Sequence, residues 1–170
     1  MLKRIAEFDK TFSARMRVAE RPGPLRTLAA VLAHSGDSWF WLLGLGVLWL
    51  LGNDFWKRRV GILALAILVT AAIVMTIKLA VKRNRPEGEW GGIYRSTDPH
   101  SFPSGHAARA AMLAVVAIGL GPAWFAVTLI VWAPFVALAR VSMGLHYLSD
   151  VAAGVLLGVL LGVGIGLFFW

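Results

Sequence analysis

Residues 101–109 have the sequence SFPSGHAAR and open a stretch, 110–139, that contains no charged residue. Buried polar and ionisable groups cost free energy unless they are paired, and within membrane helices they are usually functional. A hydroxyl, an imidazole and a guanidinium at the mouth of so apolar a run therefore predict a membrane helix whose polar end binds a ligand.

The composition of the whole chain is that of a membrane protein. Of its 170 residues, 58% are hydrophobic and 15% are charged, whereas soluble domains carry about a quarter charged residues. Charged residues are absent from 38–53, 60–77, 110–139 and 151–170. A helix needs roughly 17–25 residues to cross a bilayer, so these runs predict an all-α, polytopic membrane helical bundle.

The run 110–139 is too long for one ordinary span, and Gly119-Leu-Gly-Pro122 indicates a tight turn within it. Dividing the run at this turn yields five transmembrane helices, with six as the alternative, in a single domain that covers 1–170. The predicted spans are 38–51, 60–81, 104–120, 122–139 and 147–169.

The polar segments have two predicted roles. Apolar residues recur every three or four positions over 2–20, which indicates an amphipathic helix lying in the membrane interface within 1–24. Residues 82–103 form the long loop and are expected at the active face. The net charge of +8 suits anionic lipid or a phosphate-bearing ligand. Nucleic acid is disfavoured because the basic residues do not form one soluble face.

Alternation of the spans brings the ionisable residues to one membrane face. Span two ends near residue 82, span three begins on that side, and span four returns to it, so span five also begins there. Without the turn at 119–122, the run 110–139 would be a single span, and Arg109 and Arg140 would lie on opposite faces of the membrane. The residues gathered in this way are Lys78, Arg85, Ser104, His106, Arg109, Arg140, His146 and Asp150.

These side chains have the character of a phosphate site. Lys78, Arg85 and Arg140 can surround a tetrahedral oxyanion with charge-assisted hydrogen bonds. Ser104 and Gly105 stand where a helix begins, and the free N–H groups of a helix N-terminus favour an anion.

The two histidines and the aspartate can divide the chemistry of phosphate transfer. His146 and Asp150 are four residues apart, so the carboxylate can hold one imidazole nitrogen and leave the other nucleophilic. His106 can protonate a leaving oxygen. A metal site is the rival interpretation, but the neighbouring cations would repel a divalent ion. We therefore expect no metal and no cofactor, and the absence of cysteine excludes thiolate chemistry.

Three motifs in this order resemble the signature motifs of the type 2 phosphatidic acid phosphatase family. They are Lys78-(six residues)-Arg85-Pro86, Pro103-Ser-Gly-His106 and Arg140-(five residues)-His146-(three residues)-Asp150. The resemblance implies that His146 forms a phosphohistidine, that Asp150 holds it, and that His106 is the general acid and later the base. It also implies a phosphate cradle without metal, formed by Lys78, Arg85, Ser104, Gly105 and Arg140.

Two features depart from the family pattern. The third motif usually begins Ser-Arg, and here it is Ala139-Arg140, which removes a hydroxyl beside the guanidinium. Arg109, one turn after His106, is an addition that we expect to contact substrate or the long loop 82–103.

The expected function is an integral membrane lipid phosphatase that hydrolyses a lipid phosphomonoester or diphosphate. Phosphatidic acid, phosphatidylglycerol phosphate and polyprenyl phosphate or diphosphate are all compatible substrates. The alternatives are a lipid phosphotransferase with the same phosphohistidine and a non-catalytic lipid-binding relative. The oligomeric state is left open.

Two arguments about which side of the membrane the site faces lead to opposite answers. Most Lys and Arg residues fall on the motif face, and only Lys57, Arg58 and Arg59 lie in the loop 53–59, which by the positive-inside rule favours the cytoplasm. Relatives in bacteria commonly face outward. We expect an outward-facing site in a bacterial or archaeal cytoplasmic membrane.

Overall fold

The computed structural model describes residues 2–88, 90 and 98–169. Its regular elements in this part of the chain are helices, so the all-α prediction is confirmed. They are α1 (Leu2–Arg15), α2 (Pro24–His34), α3 (Ser38–Leu51), α4 (Asp54–Val81), α5 (Gly105–Leu120), α6 (Ala123–Ser142) and α7 (Leu148–Phe169).

Each predicted span corresponds to one apolar helix. Within the described residues, α4, α6 and α7 are long and apolar enough to cross a membrane. The other two predicted spans are shorter apolar helices, because α3 has 14 residues and α5 has 16. The predicted membrane helical bundle is therefore confirmed, with two of its five apolar helices below full spanning length.

The turn between α5 and α6 lies where glycine and proline predicted it. Helix α5 ends at Leu120 and α6 begins at Ala123, and the N–H of Gly121 still bonds to the carbonyl of Ala117 at 2.9 Å. The chain reverses here, so the start of α5 and the end of α6 lie at the same end of the bundle.

Helices α5 and α7 approach each other closely through a stripe of glycines. Gly154, Gly158 and Gly162 are buried on α7, and a Cβ at Gly158 would overlap the carbonyl oxygen of Ala108 on α5. Small residues allow helix backbones to come together in this way. At the polar end, the N–H of Ser104 donates to the carbonyl of Asp150 at 2.9 Å, which ties the second motif to the third.

Helix α1 covers the start of α7. The first N–H groups of a helix have no partner within the helix. The N–H of Leu148 donates to the Ser13 hydroxyl at 2.8 Å, and that of Ser149 donates to the Asp9 carboxylate at 3.1 Å. The predicted amphipathic helix is shorter than 2–20, and it contributes directly to the polar end of the bundle.

The glycine contact makes a prediction about stability. Gly158→Val forces a branched side chain into the α5 backbone, so we expect a loss of about 1–3 kcal/mol or more. Gly164→Val is the matched control, because no atom lies within 4 Å of a Cβ at Gly164. Thermal unfolding in detergent compares the two variants. Equal melting temperatures for both would contradict this account of the contact.

Candidate active site

A small cavity of about 120 Å³ lies at the polar end of α4 and α5. One wall is apolar and consists of Ala71, Val74 and Met75, which lie deeper along α4. The remaining lining residues are polar or belong to the second motif, and they are Lys78, Asp98, Gly105, His106, Arg109 and His146. The structure therefore brings residues of all three motifs to one cavity.

The two cations of the first motif face one carboxylate. Lys78, in the last turn of α4, is buried and its Nζ contacts the Asp98 carboxylate and the carbonyl of His100. Arg85 donates from Nη2 to the same Asp98 oxygen at 2.7 Å and from Nε to the Asp98 carbonyl at 2.7 Å. The Asp98 carboxylate thus accepts hydrogen bonds from two of the cations that the sequence predicted to bind a phosphate.

Asp98 is ionised at neutral pH. Its partial burial opposes the charge, but the hydrogen bond from Lys78 and the positive charges of Lys78 and Arg85 hold the pKa of its carboxyl below the ordinary value. The predicted loop 82–103 is described only in part, because residues 89 and 91–97 lie outside the described residues.

His146 is held as a neutral imidazole in one tautomer. Its Nε2 lies 3.0 Å from Nη1 of Arg85 and its Nδ1 lies 2.8 Å from the carbonyl oxygen of Ser101. Arginine can only donate, so Nε2 accepts and Nδ1 carries the proton. Burial and the charges of Arg140, Arg85 and Lys78 hold the pKa of His146 well below its usual value. Nε2 is therefore unprotonated at neutral pH, and its lone pair is directed at Arg85.

Asp150 lies beside His146 but makes its hydrogen bonds elsewhere. Its Oδ2 is 3.8 Å from Nδ1 of His146, and it accepts from the N–H of Tyr147 at 2.9 Å. Helix α7 begins at Leu148, so His146 precedes the helix and the spacing of one helical turn does not apply to this pair. The Ser101 carbonyl takes the place expected for the carboxylate.

Arg83 is a site residue that no motif indicated. Its guanidinium donates to Asp150, to the Ser149 hydroxyl and to Asp9 of α1, each at 2.7 Å. It also lies 4.1 Å from the centre of the Tyr147 ring. Asp150 is fully buried, and Arg83 supplies its counter-charge. All of these partners are distant in sequence, so spacing offered no signal.

His106, in the first turn of α5, pairs with a second residue that no motif indicated. Its Nε2 lies 2.6 Å from Oδ1 of Asp37, in the loop between α2 and α3. The other oxygen of Asp37 lies 3.2 Å from Nδ1 of His34. Partial burial opposes the charge on Asp37, yet the hydrogen bonds and charges of the two histidines lower its pKa to about 2. In the sequence, Asp37 stands directly before the predicted span 38–51, and nothing there links it to His106.

Arg109 is buried and donates from Nη1 to the carbonyl of Gly36. We expected Arg109 to contact substrate or the long loop 82–103. In the structure its Nη1 bonds instead to the loop between α2 and α3. The side chain also lines the cavity.

Ser104 was expected to offer its backbone N–H to a phosphate, and the structure differs from that expectation. Its N–H bonds to the carbonyl of Asp150 and is not available to a phosphate. Its hydroxyl is buried without a partner among the described residues. A buried polar group without a partner is costly, and this hydroxyl belongs to the residue directly before Gly105, which lines the cavity.

The end of α6 contributes a further positive charge to the site. Arg140 is fully buried in its last turn, with its charge acting on both His106 and His146. Ala139, where the family usually has serine, packs in an apolar cluster with Ala33 and Leu145. Over 2–88, 90 and 98–169, no group of three or more His, Asp or Glu side chains could hold a metal ion.

Comparison with known proteins decides the family. A model of the PAP2 superfamily matches residues 59–170. The chain belongs to the PAP2 superfamily. The family predicted from the three motifs is thus confirmed, and with it an integral membrane enzyme that hydrolyses phosphate esters of lipids.

Individual relatives support the same assignment. The decaprenylphosphoryl-5-phosphoribose phosphatase of Mycobacterium tuberculosis is 34% identical over 141 residues, which cover 82% of this chain and 77% of the relative. The PAP2-type phosphatidylglycerolphosphate phosphatase of Bacillus subtilis has the same fold, with a TM-score of 0.77, 23% identity and coverage of 96% of this chain and 85% of that one. LpxE of Aquifex aeolicus has a TM-score of 0.69 and 25% identity, covering 92% and 94% of the two chains.

The contacts of Asp9 make a prediction about α1. Asp9→Asn removes the charge that accepts hydrogen bonds from Arg83 and Ser149, so we expect a loss of about 1.5–3 kcal/mol. Glu7→Gln, on the exposed side of the same helix, is the matched control and should be nearly neutral. Thermal unfolding at neutral pH measures both. A wild-type melting temperature for Asp9→Asn would refute the bridging role of Asp9.

Proposed function

We propose that the chain hydrolyses a lipid phosphomonoester through a phosphohistidine at His146, with His106 as the acid and base. The observation that carries this proposal is the neutral His146, whose Nε2 accepts from Arg85 beside a cavity that Lys78 also lines. A nucleophilic nitrogen next to a cluster of cations is the arrangement that phosphate transfer requires.

The reaction proceeds in two steps. Nε2 of His146 attacks phosphorus, the bond from phosphorus to the lipid oxygen breaks, and His106 donates a proton to that oxygen. Water then attacks the phosphohistidine, His106 takes the proton back, and inorganic phosphate leaves with His146 restored. Lys78, Arg85 and Arg140 stabilise the negative charge that develops on the phosphoryl oxygens.

Asp98 and Ser104 have complementary roles in binding. The Asp98 carboxylate pairs with Lys78 and Arg85, so an entering phosphate must displace it or share these cations with it. The unpartnered Ser104 hydroxyl is a further donor to the phosphate. Gly105 lines the cavity, where a larger residue would narrow it.

The substrate we propose is amphiphilic with a terminal phosphate. The cavity of about 120 Å³ equals the volume of about four water molecules, which suits one phosphoryl group more than a whole headgroup. The apolar wall on α4 suits the beginning of a lipid tail. The name of the mycobacterial relative adds polyprenylphosphoryl sugar phosphates to the candidate substrates, beside phosphatidic acid and phosphatidylglycerol phosphate.

The activity itself is tested by phosphate release. Purified protein in EDTA should release phosphate from lipid phosphomonoesters and be inhibited by vanadate, and His146→Ala should lose at least about a thousandfold in kcat. Lys78→Gln should lower kcat/KM strongly. Lys57→Gln, near the start of α4 at the other end of the bundle, is its matched control and should not. Normal turnover by a folded His146→Ala protein would exclude the phosphohistidine mechanism.

We further propose that the site faces outward from the cytoplasmic membrane. The chain has no cysteine, so single-cysteine variants report orientation cleanly. Trp90→Cys, near the site, should react with a membrane-impermeant maleimide in intact cells. Lys57→Cys, at the other end of the bundle, should react only after the membrane is opened. The reverse pattern would place the site in the cytoplasm.

A further inference from the structure

Asp37 is a hydrogen-bond partner of the proposed acid, and it lies outside the segment 59–170 that the family model matches. Its Oδ1 is 2.6 Å from Nε2 of His106. We propose that Asp37 is a positioning residue for the reaction, which holds the His106 ring and stabilises its protonated form. This role rests on the proposed function of His106.

The contact determines which edge of the imidazole faces the substrate. The two ring nitrogens of histidine lie on different edges, and a carboxylate that binds one of them sets the tautomer and orientation of the other. With Nε2 engaged by Asp37, Nδ1 is the nitrogen left for proton transfer. His106 lines the same cavity as His146.

The position of Asp37 is not explained by helix capping. Asp37 is the N-cap residue of α3, where an aspartate side chain usually accepts from the first turn of the helix. Here the side chain makes no capping hydrogen bond. Its two oxygens accept instead from His106, His34 and the indole of Trp39. The carboxylate is therefore directed away from its ordinary local role and toward the cavity.

The loop that carries Asp37 is held on both sides. Arg109 donates to the carbonyl of Gly36, and a Cβ at Gly36 would lie 3.3 Å from Cδ2 of the His106 ring. The indoles of Trp41 and Trp132 bond to the carbonyl and the hydroxyl of Ser35, each at 2.9 Å. These contacts also give Arg109 a function, since it fixes the loop against the ring of His106.

The charges around His106 show why a carboxylate is needed there. Arg140 on α6 and Arg109 on α5 both act against a positive charge on the ring, and Asp37 acts in its favour. His34 reaches the other oxygen of Asp37 from α2. Without Asp37 the proposed acid would face two guanidinium groups and would lose the carboxylate that offsets their charge.

The test compares kcat and its pH dependence in the full-length protein. Asp37→Asn should lower kcat roughly 10–100-fold with little change in KM. It should also move the alkaline limb of the kcat profile to lower pH by about one unit or more. Asp37→Glu retains the charge and should keep the wild-type alkaline limb. Asp54→Asn, in the first turn of α4, is the matched control and should change neither quantity.

A double-mutant cycle separates this proposal from the proposed function. If Asp37 acts through His106, Asp37→Asn should cause no further loss in a His106→Asn background. Independent, multiplicative losses would overturn the positioning role, as would wild-type kcat in Asp37→Asn or the same pH shift in Asp37→Glu and Asp37→Asn. Full activity of His106→Asn alone would instead count against the proposed function. Melting temperatures identify any variant whose loss of activity reflects unfolding. If Asp37→Asn is such a variant, the alkaline limb of the kcat profile of Asp37→Glu tests the positioning role, and a limb shifted from the wild-type position would overturn it.

Discussion

The close contact of the α5 and α7 backbones is the constraint on which the site depends. Three buried glycines on α7 let its backbone lie against that of α5, and the Ser104–Asp150 backbone hydrogen bond closes the polar end of this contact. The second and third motifs are more than thirty residues apart in the chain, and this contact joins them. A side chain at the glycine positions would separate the proposed acid from the proposed nucleophile.

The site is organised as cations paired with carboxylates. Asp98 pairs with Lys78 and Arg85, and Asp150 pairs with Arg83. Removing charges from water is expensive unless they are paired and hydrogen-bonded, so the pairs allow a concentrated positive site to exist in a largely apolar fold. An entering phosphate therefore meets cations whose charges are already paired with carboxylates.

The helices and the motif residues of the site could be predicted from sequence, whereas Asp37 and Arg83 could not. Uncharged runs and the Gly-Pro turn placed the ends of α3 to α7 to within six residues, since a bilayer imposes length and composition locally. Motif spacing indicated Lys78 and His146. Asp37 and Arg83 carry no local signal, because their partners come from other elements through tertiary packing. The Asp150 carboxylate lies 3.8 Å from Nδ1 of His146, because α7 begins after His146 and the spacing of one helical turn does not apply.

The shortness of α5 has a consequence for the surrounding lipid. Its 16 residues extend about 24 Å, whereas the hydrocarbon core is about 30 Å thick. Such hydrophobic mismatch is relieved when the bilayer thins locally or when polar groups reach inward. Relief of this mismatch at the SFPSGHAAR end would place the polar mouth below the headgroups, where a lipid phosphate would reach it while its tail stays in the bilayer.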